Sequence, residues 1–398
     1  MAYSQNSMCA ILLCSYVGID KNSSLKPLSI GEWNTFLDGI IHIKAEPSII
    51  FSTDNSWMEK MNYSNQQKER MIELISRGAS VAFELEELEK KGVNIVSLFD
   101  SDYPILIRKK LKKKAPPILF YAGNLELAKK IGIAIVGSRN VDDEGIEFTK
   151  KLVQKAANEK LIIYSGGARG VDTISEMTAL HSGSAVVSFL SDSLLSRIKK
   201  QEVIKYIIAG TLLLFSDVKP DVGFTAARAM NRNKYIYASA YGAFVIESDY
   251  NKGGTWNGAI ESIKNDYTKT LIWNNKKYNG NLKLIENGGI PYEMTEESIY
   301  SIITKKEQNF EQLDLFSDCV YKNDTVKINK AKDDEKKNCK NDIYNMIKMF
   351  LVEYIGSGRS LEEISNNFDI LDSQMYIWLE HLCKEKFVKF DKGAYKRI

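Results

Sequence analysis

From Gly132 to Asn274 the chain repeats one pattern, a short continuous apolar run followed by an amphipathic stretch of helical period. The apolar runs are GIAIVG, LIIYSG, AVVSFL, TLLLFSD, AFVIES and TKTLIWN. Between them lie DDEGIEFTKKLVQKAANE, GVDTISEMTALHSG, SLLSRIKKQEVIKYIIAG, FTAARAMNRNKYIYASA and GTWNGAIESIKN, each predicted to be a helix. Asp142 stands where a side-chain cap would start the first of these. Strands that are apolar all along need cover on both faces, and helices flanking a parallel sheet supply it. With right-handed crossovers, the pattern predicts a doubly wound, Rossmann-like α/β sheet.

At 398 residues the chain exceeds one ordinary domain. Upstream, EWNTFLDGIIHI, QQKERMIELISRG and VAFELEELEKKG predict a mainly helical N-terminal domain over 1–92. The strand-like VNIVSLFDSDYP opens the Rossmann-like domain, taken as 93–303. Mixed charges and few apolar anchors predict a flexible polar linker over 304–341. Residues 342–398 regain apolar periodicity and predict three helices and a hairpin around Asp391-Lys392-Gly393, the outline of a winged helix. Within it, Ser360 and Glu363 have the spacing of a capping box.

Lys and Arg number 54 against 51 Asp and Glu, so any basic surface has to be local. The densest positive run, Arg108 to Lys114, reads as a solvated face or as a binding strip. Five scattered cysteines without a CxxC pair and three distant histidines give no zinc spacing, and neither metal nor cofactor is expected. The apolar run near the start lacks a basic flank and a cleavage site and is too short to span a bilayer. A cytoplasmic protein without membrane contact is expected.

In an open parallel sheet, ligands bind beyond the carboxyl ends of the strands. Three loops should meet there: GSRN (137–140), SGGARG (165–170) and NKGGT (251–255). Glycine-bared amides at helix starts make an anion site, and Arg139 and Arg169 add guanidinium groups suited to phosphate. Neither GxGxxG nor a P-loop is present. Near Phe224, Arg228, Arg232 and Lys234 recur at roughly helical spacing. That is a solvated helix face, or cations and a ring placed for single-stranded nucleic acid. No nucleophile elbow, HExxH or Cys–His pair is seen, and Asp172 and Glu247 are acid–base candidates or loop braces. A nucleotide and a nucleic-acid backbone both remain as the anion.

The order YP (103–104), PPILFYAGN, IAIVGSR, SGGARGVD, Phe224 with RNK at 232–234, VIE (245–247) and GG (253–254) resembles the DNA-processing protein A (DprA/Smf) family over about 95–275. The resemblance implies a protein that is not an enzyme. It would bind and protect incoming single-stranded DNA, dimerise through the Rossmann-like domain and help load a RecA-type recombinase in natural transformation. Carried over by motif, Ser138, Arg139, Gly166, Gly167 and Arg169 would contact phosphates. Phe224, Arg232, Asn233 and Lys234 would extend the pocket, with Gly253 at its rim.

The chain also departs from the family pattern. Glu176 replaces a histidine, Lys234 replaces the last Arg of RNR, KGGTW replaces an SG-S-L loop, and SDSLLSRIKK replaces a Gly-Leu-Asp…Tyr-Pro segment. KGGTW also resembles the phosphate loop of nucleotide-binding lysine-decarboxylase-like proteins. This leaves a nucleotide sensor or hydrolase, for example in an anti-phage module, as the alternative. A third reading is a scaffold whose winged helix recruits a protein, since SQMYIWLEHLCKEKF carries few cations for duplex DNA.

Overall fold

The computed structural model describes residues 3–304 and parts of 351–397. By contacts the chain divides into two units, Met1–Cys319 and Val320–Ile398. The first opens with five helices: α1 (Gln5–Cys14), α2 (Ile30–His42), α3 (Ser56–Lys60), α4 (Asn65–Ser76) and α5 (Gly78–Lys90). Strand β1 (Asn94–Ser97), helix α6 (Ile105–Leu111) and strand β2 (Ile118–Gly123) follow. The alternating region then runs β3 (Gly132–Val136), α7 (Asp143–Asn158), β4 (Ile162–Ser165), α8 (Val171–His181), β5 (Val186–Phe189), α9 (Leu194–Arg197), α10 (Gln201–Ile208) and β6 (Leu212–Ser216). It closes with α11 (Ala226–Ser239), β7 (Gly242–Val245), α12 (Gly253–Asn265), β8 (Lys269–Trp273), α13 (Asn279–Glu286), β9 (Ile290–Tyr292) and α14 (Ile299–Thr304).

The nine strands form one sheet in the order β1-β2-β6-β5-β4-β3-β7-β8-β9. From β6 to β9 every pair is parallel. The winding reverses between β3 and β7, the kind of place where open α/β sheets bind ligands beyond the strand ends. Pleating sorts the core with period two. Ile133 and Ile135 join α7, α8 and the N-terminal helices on one face; Ala134 and Val136 join α6, α11, α12 and α13 on the other.

Three features differ from expectation. The sheet is not parallel throughout, because β2 runs against β6 and β1 against β2; an apolar run carries no strand direction. The helix expected over 193–210 breaks at residues 198–200 into α9 and α10. Strand β9, three residues with Pro291 at its centre, was not expected at all. The N-terminal helices pack as part of the larger unit, with Trp33, Phe36 and Trp57 in one apolar cluster with Phe120, Ile133 and Leu152.

In the second unit, the helix Leu361–Phe368 starts with the expected capping box. Ser360 N–H donates to Glu363 Oε2 (2.8 Å) and Glu363 N–H donates to Ser360 Oγ (3.2 Å). Val388–Asp391 pairs antiparallel with Ala394–Arg397, so a hairpin forms where one was expected. Much of the first and third helices expected of the winged helix lies outside the described residues, as does the linker beyond Thr304.

Candidate functional site

The loops after β3, β4 and β7 come from three adjacent strands and meet at the carboxyl edge beside the winding reversal. Cross-ties hold them together. Thr255 Oγ1 donates to the Gly137 carbonyl (2.9 Å), Arg169 Nη2 to Asn140 Oδ1 (2.9 Å), and Asn233 Nδ2 to the Gly254 carbonyl (3.0 Å). Val171 N–H donates to the Ser138 carbonyl (3.2 Å), seating the start of α8 on the first loop. Gly170 makes this approach possible, because at φ +83° a Cβ would strike the Ser138 carbonyl. Asp142 caps α7 through the Gly145 N–H (3.0 Å). An ion pair with Lys277 and hydrogen bonds from the Gly145 N–H and Tyr278 hold its carboxyl well below the usual carboxylate range.

Two expected residues stand together on the outside. The Arg139 guanidinium carbon lies 5.3 Å from the centre of the Phe224 ring, and that ring is 50 % exposed. Phe224 directly precedes Thr225, whose hydroxyl caps α11 by accepting from Arg228 N–H (3.2 Å). The capped turn therefore presents the ring at a fixed place, and a cation–π contact of this kind contributes about 0.5–1 kcal/mol at an exposed site. Ser138 Oγ accepts from Asn140 N–H (3.1 Å), tightening the turn that carries Arg139. Gly253, at the uncapped start of α12, lies open: a Cβ there would meet nothing within 4 Å.

The other expected residues lie elsewhere. Arg232 is 3 % exposed and sits under Gly166, where a Cβ would overlap its guanidinium. Its Nε and Nη1 have no hydrogen-bond partner. Burial pulls its pKa down, while the Asp172 and Glu176 charges oppose that shift. Asp172, 7 % exposed, accepts from Ala168 N–H (3.3 Å); burial pushes its pKa up to about 6 against the pull of Arg232. Glu176 accepts from Ser188 Oγ (2.7 Å) and is raised by burial.

Arg228 is half-buried, bonds back to the Gly223 carbonyl and borders a groove with Tyr16, Asp217, Lys219 and Asp221. Lys234 faces Asp217 and Asn231 and is bonded to the latter (2.7 Å). Helix α11 thus does not gather Arg228, Arg232 and Lys234 on one exposed stripe. Glu247 is half-buried and raised by burial, with the Asp142 backbone and Ser138 acting against the rise.

Sequence reasoning passed over Arg197, whose Nη2 donates to the Gly167 carbonyl (2.6 Å) and so holds the second loop from below. Its only signal was a cation just after the strand beside β4. Tyr250, 52 % exposed on the loop after β7, was also passed over. An aromatic in a polar turn two residues before a lysine-glycine pair was the available clue.

Fold and edge together define a doubly wound α/β protein with an exposed cation–aromatic pair and glycine-rich loops at its switch point. A family model described as "DNA recombination-mediator protein A" matches residues 94–303, and the chain belongs to that family. It is similar to the DNA processing protein DprA of Streptococcus pneumoniae, 32 % identical over 140 residues covering 35 % of this chain and 49 % of the relative. Protein Smf of Synechocystis sp. is 26 % identical over 215 residues, 51 % of this chain and 52 % of the relative. The chain thus spans about half the length of these curated relatives. The X-ray structure of DprA from Streptococcus pneumoniae superposes with a TM-score of 0.56 at 20 % identity, covering 73 % of this chain and 95 % of that one. Among the described residues, no helix is long and apolar enough to cross a membrane.

Proposed function

We propose that the chain binds single-stranded DNA along the loop edge beside β3 and β7, as a recombination mediator and not as an enzyme. One observation carries this reading: Arg139 stacked on the half-exposed Phe224 ring among cross-tied glycine loops. A ring and a guanidinium side by side serve a base and its neighbouring phosphate at once. Family membership supports a role in DNA processing. On the same reading, the protein acts in the cytoplasm as a homodimer, protects incoming strands and hands them to a RecA-type recombinase.

Of the expected contacts, Arg139, Arg169 and Phe224 would form the exposed layer, with Ser138, Gly166, Gly167 and Gly253 shaping it. Arg232 would act from beneath, while Asn233 ties α11 to the start of α12. Arg228 and Lys234 would lie off the main path. The test is fluorescence anisotropy of labelled oligo-dT across a salt series, with wild type beside Arg139→Ala. Tight, salt-steep binding that the substitution weakens supports the reading. Absence of binding overturns it, as does binding indifferent to Arg139. Saturable thermal stabilisation by a mononucleotide in its place would favour a nucleotide at the open, uncapped start of α12.

A further inference from the structure

We infer that Tyr250 is a second base-stacking platform on this edge, one strand along from the Arg139–Phe224 pair. The inference rests on the single-stranded DNA reading and extends it to a residue outside the family motifs quoted above.

Tyr250 follows β7, the direct neighbour of β3, and adjacent strands lie about 4.8 Å apart. The next residue, Asn251, is in the left-handed region at φ 55°, which turns the chain sharply toward α12. The Tyr250 ring meets the buried Trp256 ring at 5.2 Å and 83°. Trp256 is itself anchored on α12 in the apolar core, so Tyr250 has a fixed support. In a perpendicular pair one ring covers at most one face of the other. The second face of Tyr250 is therefore free of Trp256, in keeping with its 52 % exposure.

The exposed ring borders groups that suit phosphates. The α12 start has no side-chain cap, and Gly253 leaves open space above it. Lys252 is exposed beside them. The exposed Asp249 and the half-buried Glu247 are acidic groups of the same loop and would keep the backbone on the Lys252 side. Phosphates between Phe224 and Tyr250 would face Arg139 and the α12 amides, with one base on each ring. Because every base has a π face, such stacking is open to any base.

The test compares wild type, Tyr250→Ala and Tyr250→Phe with labelled oligo-dT and with the same oligomer made of abasic sugars. Tyr250→Ala should weaken oligo-dT binding about fivefold to a hundredfold, the range of one base stack. The salt slope should stay unchanged, since no phosphate contact is removed. Tyr250→Phe should bind as wild type does, and on the abasic strand all three proteins should bind alike. Equal oligo-dT binding by Tyr250→Ala and wild type, with Arg139→Ala still impaired, would overturn this inference and leave the edge itself standing. An equal loss on the abasic strand, or a loss in Tyr250→Phe as large as in Tyr250→Ala, would also overturn it, because the ring would then be acting on something other than a base. A wild type that binds no oligomer would overturn both readings.

Discussion

Two layers of the same edge use the same side chain in opposite ways. Outside, Arg139 lies over a half-exposed ring and Arg169 is tied to Asn140 by one hydrogen bond. Beneath them, Arg232 is sealed under Gly166, opposed by the charges of Asp172 and Glu176, with two of its nitrogens unpartnered. The outer guanidinium groups have donors to spare for a ligand. The inner one has its charge offset by buried acids. A cation in a binding motif can therefore serve the ligand directly or serve the loop that meets the ligand, and burial separates the two roles.

The largest expected effect comes from the inner layer. Arg232→Met removes the cation that offsets two buried carboxylates, and breaking a buried charge arrangement costs about 3 kcal/mol or more. Urea unfolding at neutral pH should show the loss; stability equal to wild type would mean the layer is not electrostatically coupled. In the outer layer, Phe224→Ala should cost no more than about 1 kcal/mol of stability, the worth of its cation–π contact. The same substitution should weaken oligo-dT binding by about tenfold, one base stack. A large drop in melting temperature would instead place Phe224 with the inner layer. Arg169→Ala should weaken binding several-fold and make the single-strand salt slope shallower by about 0.7, the value of one phosphate.

The inner layer also carries a pH dependence. Asp172 titrates at about 6 when folded, above an ordinary aspartate, because burial disfavours its charge. A raised carboxyl pKa means the folded state binds its proton more tightly than the unfolded chain. The associated stability is complete below the unfolded pKa and is lost as pH rises through about 6. Asp172→Asn should remove that component, so the difference in melting temperature between variant and wild type should change between pH 4 and 7. A constant difference would show that folding leaves the Asp172 titration unchanged.

Much of the fold was legible because its strands are buried on both faces. Ile133 to Val136 are all buried, and such runs stand out from the amphipathic helices around them. Strand direction was not legible: β2 reads like its parallel neighbours yet runs against β6, since both orientations bury the same side chains. Short β9 had too few residues to show a period. The loops of the site were legible through their glycines. The depth of Arg232 was not, because what covers it is Gly166 on another loop, far away in sequence. Helical spacing within 224–234 suggested one cationic stripe, whereas packing turned Lys234 toward Asp217 and sank Arg232. Tyr250 escaped because its support, Trp256, is evident only once the turn at Asn251 is formed.

The cross-ties from Thr255 to Gly137, Arg169 to Asn140 and Asn233 to Gly254 have one more consequence. They leave the protein little freedom to lose on meeting a ligand, so the cost of ordering falls on the nucleic acid. A strand whose bases already stack on one another must give up that stacking to lie across a preset surface, while a loosely stacked one has little to surrender. On the proposed reading, runs of thymidine would be held more firmly than runs of adenosine. That preference would arise without a single hydrogen bond to a base, from the stiffness of three tied loops alone.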